Sequence, residues 1–151
     1  MRAVLALVLA FATWLELGET CGAAASGCTV SASPPSFASY APLSGASVSA
    51  SGTVTATCAT GGTVTAKLSI GNGTYAARTL LGPAGATLNY NLYTDAAHSM
   101  IWGDGTAGTV TVSGTLPNGT PATATVYGYI PGGQDVKVGT YASTITVTLT
   151  F

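Results

Sequence analysis

At 151 residues the chain is long enough to form one domain with a substantial core. Lys and Arg total four and Asp and Glu five, so the sequence has neither the basic footprint of a nucleic-acid binder nor an acidic tail. Apolar residues make up 47% of the chain and recur periodically among abundant Gly, Thr, Ser and Ala, which sets it apart from the apolar-poor composition of a disordered protein.

The N-terminal stretch reads as a targeting segment. Arg2 gives a minimal positive region, Ala3 to Leu15 is almost wholly apolar, and Ala23-Ala24-Ala25 offers small residues to signal peptidase. As a helix the apolar run would reach only about 20 Å, against a bilayer core of roughly 30 Å. A cleaved signal peptide over residues 1–25 is therefore expected rather than a membrane anchor, leaving a domain over residues 26–151 with no membrane span. Gly18-Glu19-Thr20 before Cys21 is not the small apolar run of a lipoprotein site. Cleavage after Ala25 removes Cys21 and leaves Cys28 and Cys58, and an even pair in a secreted chain reads as one disulfide. Two cysteines and one distant histidine do not form a zinc set, and no metal or cofactor is expected.

The remaining chain reads as strands. Cys28, Val30 and Ala32 alternate with Thr29, Ser31 and Ser33 until Pro34-Pro35 breaks the run, which marks a short or edge strand. From Val48 to Cys58, Val54, Ala56 and Cys58 share one face and Thr53, Thr55 and Thr57 the other. Gly61-Gly62 turns the chain into Val64, Ala66, Leu68 and Ile70, and Gly71-Asn72-Gly73 ends that strand. Leu88, Tyr90 and Leu92 form the next inward set. Asp95 is placed to cap one short helical turn over Ala96 to Ile101. Val110, Val112 and Leu116 follow, then Pro117-Asn118-Gly119 as a hairpin turn into Ala124, Val126 and Ile130. Pro131-Gly132-Gly133 opens a loop before the last strand. There Ile145, Val147, Leu149 and Phe151 alternate strictly with Thr144, Thr146, Thr148 and Thr150. About seven strands with turns between them and almost no helix point to a β-sandwich or barrel.

Several motifs then occur in a recognisable order. They are Cys28-Thr29-Val30 with the second cysteine at 58, Leu92-Tyr93-Thr94-Asp95-Ala96-Ala97, Ile101-Trp102-Gly103-Asp104-Gly105, Val126-Tyr127-Gly128, Ile130-Pro131, Gln134, and Gly139-Thr140-Tyr141 before the alternating end. Over residues 28–151 the chain resembles the spore coat protein U domain family, which includes subunits of archaic, Csu-type chaperone–usher pili. The resemblance implies an all-β, immunoglobulin-like sandwich that lacks its final strand and is completed by a donated one. It also implies a periplasmic chaperone, an outer-membrane usher and strand-donating neighbouring subunits as partners, with export through the periplasm to the cell surface. Main-chain pairing and alternate apolar side chains would fill the open groove. The residues expected to line it are Val30, Ala32, Ile145, Val147, Leu149 and Phe151. His98, Tyr129 and Ser143 depart from the family pattern, standing where Arg, Arg and Asp are frequent; an ion pair exchanged for neutral packing is expected.

A pilin needs roughly ten residues before its first strand if it is to donate one, and cleavage after Ala25 leaves only Ser26 and Gly27. Such a subunit accepts a strand without giving one. Cleavage after Ala12 is the alternative; its longer tail carries Glu16 and Glu19 and an unpaired Cys21. The function expected is a structural subunit of a surface pilus or spore-coat-like assembly, with a stand-alone adhesin or carbohydrate- or surface-binding module of the same fold as the alternative. For that alternative, Trp102 and Asp104 are the candidate ligand loop, although a Trp in a Gly-rich loop more often packs under a turn. Asp95, His98 and Ser99 crowd onto one turn and do not surround a substrate, so no enzyme is expected.

Overall fold

Alternation of β-branched and small residues builds nine strands distributed along the described chain. The structure, a computed structural model, describes residues 2–10 and 27–151; for residues 2–10 and Leu43 it describes the backbone alone. Both candidate cleavage points, Cys21 and the three alanines at 23–25 lie outside the described residues. The strands are β1 (Arg2–Ala10), β2 (Cys28–Ser33), β3 (Val48–Cys58), β4 (Gly62–Leu68), β5 (Arg78–Leu81), β6 (Thr87–Tyr93), β7 (Val112–Leu116), β8 (Ala122–Ile130) and β9 (Ala142–Thr150). Every pairing between them is antiparallel.

The ladder runs β2-β3-β8-β6-β5-β9-β4-β7, with β1 added beside β9. It folds over itself at β6, whose first half pairs with β5 (Arg78↔Tyr90) and whose second half pairs with β8 (Tyr93↔Tyr127). The fold is an all-β, immunoglobulin-like sandwich. Between its layers lie the sets expected to face inward, including Val54, Val64, Leu68, Leu88, Leu92, Val126 and Ile130. Gly52 sits mid-strand because the chain leaving β2 crosses directly over it; a Cβ there would run into the Ser33 carbonyl and the Pro34-Pro35 peptide.

Two expectations change. Pro117-Asn118-Gly119 does not close a hairpin, because β7 pairs with β4 whereas β8 pairs with β3 and β6. The turn carries the chain from one layer to the other. It is pinned to the β3–β4 crossing, where Gly119 N–H donates to the Cys58 carbonyl and Asn118 Oδ1 accepts from Gly61 N–H. The single helical turn expected over Ala96 to Ile101 is absent. His98 adopts a left-handed φ of 55°, which ends any helical path, and Asp95 caps a bend instead by accepting from the N–H groups of Ser99 and Met100. Short 3-10 turns occur at Pro42–Ser44 and Pro83–Gly85. The four-residue β5 has no counterpart among the expected strands.

Candidate functional site

The last strand and its edge define the candidate site. On β9, Ile145, Val147 and Leu149 are 0% exposed, while Thr144, Thr146, Thr148 and Thr150 occupy the opposite face. The face assignment made from alternation therefore holds. One edge of β9 is shared by two strands: β4 pairs from Thr65↔Thr150 to Leu68↔Val147, and β5 meets it at Leu81↔Ala142. The other edge is taken over its full length by β1, from Arg2↔Thr150 to Ala10↔Ala142.

Beyond β1 lies β2, an end strand of the ladder. Its Val30 and Ala32 are half-buried and pack against the core, as does Phe151 just past β9. Val30 and Ala32 thus lie on β2, Ile145, Val147 and Leu149 on the strand that β1 pairs with, and Phe151 just past its end. β2 is fixed at one end by the Cys28–Cys58 disulfide, which joins directly opposed residues of β2 and β3 with Cα atoms 4.0 Å apart. The bridge closes a loop with a sequence separation of 30, for which chain entropy gives about 3–4 kcal/mol.

The Trp102–Asp104 loop is built differently from a ligand platform. Trp102 is 0% exposed and its indole N–H donates to the Ala66 carbonyl at 3.1 Å. No ring face is offered there, which is the packing role weighed for it from sequence. Asp104 is at the surface and holds the backbone N–H and hydroxyl of Thr106. These bonds depress its carboxyl below the ordinary value, the Thr106 hydroxyl contributing most.

Of the three family departures, His98 and Tyr129 meet. Their ring centroids lie 4.7 Å apart, and Tyr93 closes the stack edge-on at 5.2 Å from His98. Tyr127 and Tyr129 are half-buried on the outer face of β8. Ser143 is not part of this stack: it is buried, and its hydroxyl accepts from Asn72 Nδ2 at 3.5 Å. The expected exchange of an ion pair for neutral packing is therefore not found as such, because the acid position, Ser143, lies apart from the two Arg positions, His98 and Tyr129.

Sequence reasoning missed Arg78 altogether. Its side chain is 0% exposed and donates to Asn91 Oδ1 at 2.7 Å and to the carbonyls of Trp102 and Ser69 at 2.8 and 3.0 Å. It also lies 5.1 Å over the Tyr75 ring. Burial pulls its pKa below the ordinary guanidinium value. A lone Arg after Ala76-Ala77 carries no periodic signal that would have placed it inside.

A sandwich whose terminal strand is completed along one edge by a distant segment belongs to the immunoglobulin-like class. The spore coat protein U domain model matches residues 19–148, and the chain belongs to that family. Among solved structures, the chain is similar to one from the CsuC–CsuE chaperone–tip adhesion subunit pre-assembly complex of archaic chaperone–usher Csu pili of Acinetobacter baumannii, with 20% identity and a TM-score of 0.58. That match covers 83% of this chain and 40% of the other, so the chain spans less than half of that relative's length. An antigen and type I fimbria protein of Burkholderia pseudomallei matches at 13% identity and a TM-score of 0.45, covering 100% of this chain and 99% of the other. No curated protein matches the chain.

Proposed function

We propose that this chain is a secreted structural subunit of a surface pilus or spore-coat-like assembly that works by accepting a β-strand along the edge of β9. Its partners on this reading are a periplasmic chaperone, an outer-membrane usher and neighbouring subunits, and its destination is the cell surface. The observation that carries the proposal is the pairing of a nine-residue segment along the whole of β9. That segment, residues 2–10, falls inside the expected signal peptide. Its removal would leave the β9 edge and the apolar row of Ile145, Val147 and Leu149 in need of another strand. Family membership and the shared fold with a pilus subunit complex support the same reading. The adhesin alternative is weakened by the burial of Trp102.

The test uses exported protein and a synthetic peptide of alternating apolar residues. The peptide should raise Tm by binding the folded state alone, adding about 2.7 kcal/mol to the unfolding free energy when present at a hundred times its Kd. A peptide of the same composition in a non-alternating order should do much less. Equal effects from both peptides, or no effect from either, would overturn the proposal.

A further inference from the structure

Arg78 is a cation enclosed without an acid. Its recorded partners are the Asn91 amide oxygen, two backbone carbonyls and the Tyr75 ring, all of them neutral. No carboxylate is among these partners. Burying an uncompensated charge is costly, and proteins generally meet that cost with a counter-charge.

The surroundings are also unbalanced in hydrogen-bonding capacity. Two buried side-chain atoms lack a partner, Arg78 Nε and the Tyr90 hydroxyl, and they belong to cross-strand neighbours. Arg78 and Tyr90 stand directly opposite each other on β5 and β6, and they are 0% and 2% exposed. Ser143 joins them from β9, which adjoins β5 at Leu81↔Ala142. Ser143 is 3% exposed, and its hydroxyl lies close enough to the Tyr90 hydroxyl to offset part of the rise that burial causes in that phenol's pKa, while leaving its hydrogen-bonding capacity incomplete. Because Ser143 Oγ accepts from Asn72, its own proton remains available to give. Donors thus meet in one interior region: a guanidinium N–H, a phenol O–H and a serine O–H. No carboxylate is among the groups they face. Unpaired buried donors around a fixed positive charge are what a small anion requires.

We propose that Arg78 Nε, the Tyr90 hydroxyl and the Ser143 hydroxyl bind a single small monovalent anion, of which chloride is the abundant exported-compartment example. The anion supplies the counter-charge that Arg78 lacks within the protein. Position 143 is then the point at which a carboxylate would take over the anion's role. This inference is independent of strand acceptance, since it rests on the interior of β5, β6 and β9 and not on the β9 edge.

The experiment compares thermal unfolding of exported protein in sodium chloride and sodium gluconate at constant ionic strength. Above its Kd, chloride should raise Tm by roughly 5 °C per tenfold increase in concentration, and gluconate should not. Ser143→Asp should remove the chloride dependence and raise Tm in gluconate. Bromide-soaked crystals should show an anomalous peak within hydrogen-bonding distance of Arg78 Nε. If Ser143→Asp does not fold, the wild-type titration and the bromide peak still decide. Equal Tm in both salts overturns the proposal and leaves the site to water. A bromide peak at Arg78 without a Tm effect means an adventitious ion only, and a Tm effect with the peak elsewhere places the ion at another site; either result also overturns it.

Discussion

Asp95 lies at the surface, yet its carboxylate organises a whole bend by accepting from the Ser99 and Met100 N–H groups and from the Ser99 hydroxyl. The Met100 and Ser99 N–H bonds hold its pKa below the ordinary value of 3.8. The folded value is the depressed one, so the ionised carboxylate stabilises the fold above 3.8, and this contribution is lost as pH falls through the lower folded value. Asp95→Asn should therefore lower Tm near pH 6, and the gap to wild type should narrow steadily as pH is taken below 3.8. A gap that does not narrow would show that the charge does not hold the bend. The capping role of Asp95 was legible from sequence, but the shape it caps was not. His98 in a left-handed conformation is a tertiary choice, made beside Tyr93 and Tyr129, which lie far from each other in sequence. The burial of Arg78 was hidden for a similar reason: its partners come from Ser69, Asn91 and Trp102.

Among the elements, β9 was the most legible, because strict alternation of apolar residues with threonine leaves one choice of inner face. Val147→Asp or Leu149→Asp places an unpaired carboxylate at a position that is 0% exposed. Either change should abolish accumulation of exported protein. Thr146→Ser or Thr148→Ser, on the outer face, should shift stability by no more than about 0.5 kcal/mol. Yield and Tm of the four variants check this, and similar tolerance of both pairs would reverse the faces. The short β5 was illegible, since it is four residues long and opens with the buried Arg78. The role of Pro117-Asn118-Gly119 was misread because local turn chemistry cannot tell a hairpin from a crossing between layers; that depends on where β7 and β8 find their partners.

At the scale of the whole molecule, the proposed acceptor role turns on where the expected signal peptide is cut. Intact mass should place the mature N-terminus near Ser26, leaving two residues before Cys28, which span less than 10 Å against the roughly 30 Å of a donor strand. Purified subunit should then not form long homopolymers by itself. A mass corresponding to cleavage after Ala12, or fibres grown from subunit alone, would count against the acceptor-only reading. The scarcity of cations has a separate consequence for proteolysis. Arg2, Lys67, Arg78 and Lys137 are all the trypsin sites the sequence contains. Arg78 is fully buried, and Lys67 is half-buried within β4. Lys137 is exposed in the loop before β9, followed by Val138 at 97% exposure. In the folded domain trypsin is thus directed to the Lys137–Val138 bond. A cut there separates β9 from the chain, and the fragment from Val138 to Phe151 then stays in place only through its pairing with its neighbours and the burial of Ile145, Val147 and Leu149.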